Sequence, residues 1–230
     1  IKNEIKADAE KFGDDRKTPL VQRDEAKAFS ETELISTEPV TIVLSERGWV
    51  RAAKGHEVDP TTLQYKSGDG YKLSARGKSS QLAIFVDSTG RAYSLAAHGL
   101  PSARGQGEPV SGKVNPPSGA TFEGVLIGED NQDVLLARDG GYGFVGKISD
   151  LISKNKSGKA VIRPPKGSQV LAAVSVADYK KNLIVAITNE GRMLMFPISE
   201  LPRLAKGKGN KIISIPSARV AERIEFVVAM

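Results

Sequence analysis

The sequence has 230 residues, of which 40% are hydrophobic and 6% aromatic, which is enough apolar material for a sizeable core. It contains no cysteine, which excludes a disulfide scaffold, an iron–sulfur site and thiolate-bound zinc, and suits a reducing cytoplasm. The net charge is +6, but residues 1–36 hold seven basic and nine acidic side chains, so the remaining 194 residues carry +8. This basic surplus favours nucleic acid ahead of an anionic membrane surface.

Residues 1–36 are predicted to form a helical tail followed by a linker. Apolar residues from Ile1 to Phe12 recur at helical spacing, Gly13 ends the pattern, and residues 24–29 are expected to add a further helical turn. One apolar stripe in thirty-odd polar residues cannot fold alone, so we interpret the segment as the end of a helix from a larger protein. The N-terminus has no apolar signal-peptide core, and no apolar run approaches the roughly 18 residues of a membrane span.

From Pro39 onward the pattern changes to short apolar runs broken by glycine. Each of four such segments reads as a β-hairpin in which glycine supplies the positive φ of the turn. The turn glycines follow one another at spacings of 42, 51 and 50 residues. The four segments are TIVLSERGWV (41–50), AIFVDSTGRA (83–92), VLLARDGGYG (134–143) and IVAITNEGRM (184–193).

A second set of glycines follows the last three hairpins. Gly107, Gly158 and Gly209 are 51 residues apart, and each lies in a basic segment. The segments are RGQGEPV (104–110), KSGKAVI (156–162) and KGKGNKIISI (206–215), with YKSGDGYKL (65–73) in the equivalent place of the first repeat.

A period near fifty residues with about four strands per repeat predicts an all-β, propeller-like domain over residues 37–230. It is expected to contain four to five four-stranded blades, and a β-sandwich with regularly spaced turns is the alternative. The apolar run that ends at Met230 either is truncated or closes the first blade. The predicted blades lie near residues 40–80, 81–130, 131–180 and 181–230.

Motifs for catalysis and cofactors are missing or incomplete, so a non-enzymatic fragment without a cofactor is expected. His56 and His98 stand alone among loop residues, and no serine lies in a nucleophile-elbow motif. Residues 107–113 match most of a phosphate-binding loop, but Val114 replaces the magnesium-binding Ser or Thr. The two prolines that follow at 116–117 also forbid the helix that such a loop requires.

Basic residues beside the glycines at matched points of the repeats predict a track of duplex DNA contacts along one rim, although solvated turns would look the same. A duplex that follows a curved track must bend. The aromatic residues sit in or beside strands, which argues against stacking on single-stranded bases. The predicted DNA-binding residues are Arg47, Arg51, Lys54, Lys66, Lys72, Arg76, Lys78, Arg91, Arg104, Lys113, Lys154, Lys156, Lys159, Arg192, Arg203, Lys206, Lys208 and Lys211.

Several long runs resemble the C-terminal domain found in the A subunits of type IIA topoisomerases, and of topoisomerase IV in particular. The runs include VTIVLSERGWVRAAKGHEVD, LPSARGQGEP and GRMLMFPISELPRLAKGKGNKIISIPSA, and the resemblance spans nearly the whole chain. It implies a β-pinwheel whose blades exchange hairpins, and a fifth blade beyond the end of this chain. In the related gyrase domain, a Gln-Arg-Arg-Gly-Gly-Lys-Gly box is needed for DNA wrapping, and the matching stretch 65–72 departs from it strongly.

The resemblance also implies a function. The domain would bind DNA non-specifically, bend it, and present it to the catalytic core for decatenation and supercoil relaxation in chromosome segregation. The cleaving tyrosine and the magnesium and ATP sites would lie in other domains. The implied partners are duplex DNA, the rest of the topoisomerase IV A subunit, the ATPase B subunit in an A2B2 holoenzyme, and chromosome-organising proteins, in the cytoplasm at the nucleoid and without membrane contact. A protein-interaction scaffold with incidental DNA affinity is the alternative.

Overall fold

The structure is a computed structural model and describes residues 1–15, 18, 36–165, 167–216 and 218–230. The chain divides into two compact units, with the boundary after residue 34. The described part of the first unit contains the helix α1 (Lys2–Phe12), and at its end the backbone N–H of Gly13 donates to the Ala9 carbonyl at 3.0 Å. The predicted helix is therefore confirmed, while the turn predicted for residues 24–29 lies outside the described residues.

The second unit consists of strands joined by turns and very short helices. No helix of the described residues is long and apolar enough to cross a membrane. The strands are β1 (Pro39–Ser45), β2 (Trp49–Lys54), β3 (Tyr71–Lys78), β4 (Leu82–Asp87), β5 (Arg91–Ala96), β6 (Glu108–Pro109), β7 (Phe122–Ile127), β8 (Asp133–Arg138), β9 (Tyr142–Lys147), β10 (Lys159–Ala160), β11 (Val174–Val176), β12 (Leu183–Thr188), β13 (Met193–Pro197), β14 (Asn210–Lys211) and β15 (Ile224–Ala229). The helical turns are Pro60–Thr62, Ala97–Gly99, Val110–Gly112, α2 (Ile148–Leu151) and Ile198–Glu200.

The strands form four antiparallel sheets that surround one axis. Their orders are β3-β1-β2-β6, β7-β4-β5-β10, β11-β8-β9-β14 and β15-β12-β13. The first strand of each sheet lines a shared cavity of about 830 Å³, with Ala75, Leu126, Val174 and Val227 among its lining residues. This arrangement confirms the propeller-like prediction, and the sandwich alternative is wrong because the sheets do not form two facing layers.

Each sheet is built on one of the four predicted hairpins. The turn glycines Gly48, Gly90, Gly141 and Gly191 have φ of 75°, 79°, 86° and 77°, as the sequence pattern requires. In the two middle sheets the first strand of the hairpin lies between neighbouring layers and is buried on both faces, as residues 83–86 of β4 and 134–137 of β8 are. Burial on both faces explains why these strands read as continuous apolar runs rather than alternating ones.

The outermost strand of the first three sheets comes from the following repeat. Val50 of β2 pairs with Glu108 of β6, and the same exchange joins β5 to β10 and β9 to β14. The turn glycine of the receiving sheet accepts a backbone hydrogen bond from the donated segment each time. These bonds are Val110 N–H to Gly48 O at 2.9 Å, Val161 N–H to Gly90 O at 2.9 Å and Ile212 N–H to Gly141 O at 2.8 Å.

The apolar core is divided into three clusters, one between each pair of successive sheets. In the first cluster the ring of Phe122 meets the rings of Phe85 and Tyr93 edge-on, at centroid distances of 6.3 and 5.8 Å. The Tyr93 hydroxyl donates to the buried carboxylate of Asp87 at 2.7 Å, and burial followed by this bond raises the Tyr93 pKa. Because each cluster belongs to two sheets, no repeat completes its core alone.

The two end sheets differ on their remaining faces. The free face of the first sheet is covered by its own loop, where the Thr41 hydroxyl donates to the Gly55 carbonyl at 2.7 Å and Arg51 stacks on Tyr65. The corresponding face of the fourth sheet carries Met193 and Phe226, which are 62% and 53% exposed. An apolar face is therefore open on the fourth sheet.

Candidate nucleic-acid interface

The basic segments predicted from the repeats lie at the outer edges of successive sheets. We call residues 104–109, 154–160 and 206–211 the rim segments, since they carry or lead into β6, β10 and β14. A short helical turn reverses the chain before each of them. In the second and fourth repeats the chain then runs parallel to the preceding sheet, where Ala103 N–H donates to Ala52 O and Leu204 N–H to Val145 O.

The glycines of the rim segments are required by this packing. A Cβ atom would lie 2.5 Å from the Val50 carbonyl oxygen at Gly107, 2.5 Å from the Tyr93 ring at Gly158, and 2.0 Å from the Gly143 carbonyl oxygen at Gly209. All three glycines also have positive φ. Each of these glycines therefore allows its backbone to approach the preceding sheet closely, which sets the position of the neighbouring cations.

Five predicted cations on the rim segments extend into solvent. Within the described residues their side chains have no ion pair or hydrogen bond, so their charge is available to a ligand. They are Arg104, Lys154, Lys156, Lys206 and Lys211.

A second group lies near the outer edges but also makes structural contacts. Arg91 donates to the carbonyls of Ser157 and Gly158, at 2.9 and 3.3 Å, and ties the second rim segment to β5. The other contacts of this group are Arg47 to the Ser67 carbonyl at 3.5 Å, Lys159 to the Asp150 carbonyl at 2.7 Å, Lys66 over the Trp49 ring at 3.5 Å and Lys208 over the Tyr142 ring at 4.3 Å.

A third group is neutralised by carboxylates. The tightest pairing is at Arg192, whose Nε lies 2.6 Å from the carboxylate of the fully buried Glu222. The hydrogen bond from Arg192 is the main cause that lowers the Glu222 pKa and raises that of Arg192. The remaining pairs are Lys54 with Glu38, Lys72 with Glu123, Lys78 with Glu129, Lys113 with Glu108, and Arg203 with Asp133.

Arg51 is not positioned as a DNA contact. It is 3% exposed, and its Nη1 donates to the carbonyls of Gln64 and Gly105 at 2.7 and 3.1 Å. Its position in β2 directs it into the loop that covers the first sheet. The prediction that Arg51 is a surface contact for DNA is therefore wrong, because the side chain is buried.

Three further predicted residues also require a correction. Lys72, Arg76 and Lys78 lie on β3, the inner strand of the first sheet, and Arg76 and Lys78 line the central cavity. The physical reason is that the first repeat has no preceding sheet to which it could donate an outer strand. Its stretch 65–72 leads into an inner strand instead.

The acid that interrupts this stretch orders the loop before β3. The Asp69 carboxylate accepts the backbone N–H groups of Arg47 and Gly70, at 3.0 and 2.9 Å. Burial alone would raise the Asp69 pKa, but hydrogen bonds from Ser45 and these backbone groups, together with the charge of Arg47, lower it overall. The stretch therefore packs on the β1–β2 turn through an ionised aspartate.

Two arginines near the third rim segment are not among the residues predicted from the sequence. Arg163 is exposed beyond β10, and Arg138 is 4% exposed at the end of β8. Burial is the main cause that lowers the Arg138 pKa. Arg163 could have been identified from the sequence, because it lies in a basic part of the chain just after an exchanged strand. Arg138 could not, because in the sequence it looks like any residue at the end of a strand.

The histidines do not form a metal site in the part of the chain that the structure describes, where no cluster of three candidate ligands occurs. A ring nitrogen of His56 lies 3.0 Å from the Gly77 carbonyl oxygen, so this ring has a structural contact.

Comparisons with known proteins agree with this architecture. No protein-family model matches the sequence. The chain is 57% identical over 227 residues to the A subunit of DNA topoisomerase 4 from Pseudomonas aeruginosa, and 53% identical over 221 residues to that of Escherichia coli K12. These alignments cover 99% and 96% of this chain but only 30% and 29% of the two relatives.

Among solved structures, the C-terminal domain of Escherichia coli ParC matches with a TM-score of 0.75 and 51% sequence identity. The match covers 84% of this chain and 80% of that domain. A relative of this identity, covered over most of its length, establishes the family. The chain belongs to the family of C-terminal domains of the topoisomerase IV A subunit.

Proposed function

We propose that this chain binds duplex DNA without sequence preference along its three rim segments. It bends the duplex and presents it to the catalytic core of a type IIA topoisomerase for decatenation and supercoil relaxation during chromosome segregation. The observation that carries the proposal is the recurrence of unpaired Lys and Arg side chains on the outer edges of three successive sheets. Phosphates recur along a duplex in the same way, so repeated cations match a repeated ligand.

The arrangement of the sheets supports bending. Because the sheets surround one axis, a duplex that contacts all three rim segments has to curve around that axis. Smooth bending of a site of 20–30 base pairs costs on the order of 1–6 kcal/mol, which several phosphate contacts can offset. The proposed contacts are made by cations to phosphates, which fits binding that does not depend on base sequence.

The remaining chemistry is assigned to other parts of the holoenzyme. The chain spans about 30% of the length of the curated relatives it matches. We place the DNA-cleaving tyrosine and the magnesium and ATP sites outside it, and expect no cofactor in this fragment. The proposed partners are the rest of the A subunit, the ATPase B subunit in an A2B2 assembly, and chromosome-organising proteins, in the cytoplasm at the nucleoid.

A salt titration of DNA binding tests the proposal. Fluorescence anisotropy with a labelled duplex should show log Kobs falling linearly with log salt concentration. Reversal of the five unpaired cations to Glu should abolish tight binding, and their neutralisation to Gln should make the slope less negative by about 4.5, at about 0.9 per phosphate contact. The five positions are Arg104, Lys154, Lys156, Lys206 and Lys211.

A control with the same change in charge uses two cations outside the rim segments. Lys180 and Lys181 are exposed in the turn between β11 and β12, so Lys180→Glu/Lys181→Glu changes the charge as much as Lys206→Glu/Lys211→Glu. Only the Lys206→Glu/Lys211→Glu variant should weaken DNA binding more than about tenfold. Equal losses in the two pairs would mean that net charge, and not the rim, attracts the DNA.

A protein-interaction scaffold is a second candidate, favoured by the open apolar face of the fourth sheet. Met193 and Phe226 lie in one row across β13, β12 and β15, because both pair with Ile187. An exposed apolar row of this kind is typical of an interaction surface. Under this alternative, Met193→Ser/Phe226→Ser would abolish partner binding, and the rim substitutions would leave it unchanged.

A further inference from the structure

A groove on the outer edge lies between segments of the third and fourth repeats. Its walls are held together by the backbone, since Gly207 N–H donates to the Val161 carbonyl at 3.0 Å and Ile162 forms a parallel bridge with Gly207. The groove has a volume of about 590 Å³. Its lining residues are Ala160, Val161, Arg163, Lys206, Gly207 and Lys208.

The charge of this groove has one sign. Three of its lining residues are cations, none is acidic, and within the described residues none of the three cations forms an ion pair. A neighbouring cavity provides the contrast, because it contains Lys147 and Arg203 together with Asp133 and Asp150. Cations that converge without carboxylates leave a positive potential that an anion can satisfy.

A buried cation adjoins the groove. Arg138 is 4% exposed, and its Nη1 donates to the Arg163 carbonyl at 3.2 Å. Arg138 and Lys208 both lie over the ring of Tyr142, at 4.8 and 4.3 Å from its centroid. The Arg138 Nε is buried and has no hydrogen-bond partner within the described residues. Its charge therefore adds to the field of the groove, while the adjacent Asp139 carboxylate acts on it with the opposite sign.

Arg138 also departs from the pattern of the other repeats. The equivalent positions, at the end of the first hairpin strand, are occupied by Ser45, Asp87 and Thr188. Each of these side chains accepts the backbone N–H of the residue four positions later, at 2.9, 2.9 and 3.3 Å. An arginine cannot accept this bond, so the third repeat gives up a turn hydrogen bond and retains a buried cation. Departures from a local structural rule of this kind are expected at functional or strained sites.

We propose that this groove, lined by Arg163, Lys206 and Lys208, is the principal anchor for the DNA phosphodiester backbone on this chain. This inference rests on the proposed function and adds that the rim contacts are unequal. One or two phosphates of a strand occupy the groove, and Arg138 strengthens their binding through its charge. The other rim segments make weaker contacts that guide the duplex.

A comparison of two triple variants tests the inference. The groove variant is Arg163→Gln/Lys206→Gln/Lys208→Gln, and the matched variant is Arg104→Gln/Lys154→Gln/Lys156→Gln. Each removes three positive charges from exposed positions at the outer edge. Anisotropy titrations of the 230-residue chain with a labelled duplex, at several salt concentrations, should give an affinity loss at least tenfold larger for the groove variant. Circular dichroism and thermal melting confirm the folding of both proteins.

The possible outcomes separate the inference from the proposed function. Equal losses in the two variants would overturn the groove as principal anchor and leave DNA binding along the rim intact. No loss in either variant would overturn the proposed function itself. If the groove variant melts early, Arg163→Gln/Lys206→Gln, which keeps the contact of Lys208 with Tyr142, is compared with Arg104→Gln/Lys156→Gln under the same criterion.

Discussion

Gly209 offers the most direct test of how the rim is held in place. It has φ of 72°, and a Cβ atom there would lie 2.0 Å from the carbonyl oxygen of Gly143 in the preceding sheet. Since real Cβ atoms keep at least 3.0 Å from such an atom, Gly209→Ala must displace β14 by about 1 Å. That displacement breaks the pairing of Asn210 with Gly143 and strains the bond from Ile212 N–H to Gly141 O.

The expected loss in the free energy of unfolding for Gly209→Ala has two contributions, and a control variant measures one of them separately. Placing alanine at positive φ costs about 1–2 kcal/mol, and forcing an extra methyl group into a packed site costs about 1–3 kcal/mol more. Gly191→Ala provides the control, because Gly191 has φ of 77° and no atom within 4 Å of the added Cβ. The free energy of unfolding should therefore fall by about 2–5 kcal/mol for Gly209→Ala and by about 1–2 kcal/mol for Gly191→Ala.

Urea unfolding followed by circular dichroism measures the free energy of unfolding of both variants. In a thermal melt, a difference of 1 kcal/mol in this free energy corresponds to about 2–4 °C in the melting midpoint for a chain of this size. DNA affinity should fall for Gly209→Ala, because Lys208 and Lys211 move with β14, and remain near the wild-type value for Gly191→Ala. If Gly209→Ala is no less stable than Gly191→Ala, the close approach to Gly143 does not hold the exchanged strand, and the reasoning is refuted.

Three other predictions concern buried polar groups. The folded-state pKa of Glu222 lies below its ordinary value of 4.5, so the stability it contributes is present above that value and is lost as the pH falls through the folded pKa. Melting midpoints measured at falling pH should therefore drop more steeply for the wild type than for Glu222→Gln, in which the pairing with Arg192 no longer titrates. Tyr93→Phe should cost about 1.5–3 kcal/mol in urea unfolding, because its hydroxyl bonds the buried carboxylate of Asp87. Arg138→Thr should keep the melting midpoint within about 5 °C of the wild type, because the regained turn hydrogen bond and the removal of a buried charge offset the lost packing. The DNA affinity of this variant should fall. A large loss of stability with unchanged DNA affinity would contradict the prediction.

The glycine periodicity was predictable because each of its positions has a local backbone requirement. A hairpin turn needs positive φ, and this requirement is visible in the sequence at Gly48, Gly90, Gly141 and Gly191. The second series of glycines, at 107, 158 and 209, was visible in the sequence for the same reason. The backbone that each of these glycines approaches was not visible. Which backbone a glycine approaches depends on strand exchange, and local sequence does not encode that contact.

Which of the predicted cations are paired with carboxylates was much less predictable from the sequence. Lys72 is neutralised by Glu123, 51 residues away, and Arg203 by Asp133, 70 residues away. A sequence window shows the cation and not the distant acid, so paired and unpaired lysines look alike. The burial of Arg51 was hidden for a similar reason, because the loop that covers it contributes carbonyl groups and not a charge motif.

Position relative to the exchanged strand explains which cations remain available. A residue in one of the first three strands of a sheet faces a neighbouring layer or strand, where acids and carbonyls compete for its charge, as at Arg51 and Lys72. A residue in the connection before the exchanged strand has the preceding sheet on one side only, as at Arg104, Lys156 and Lys206. The glycines hold these connections against that sheet through the backbone, so the side chains beside them are not needed for packing. Strand exchange therefore accounts both for the stability of the sheets and for the row of unpaired cations on which the proposed DNA binding depends.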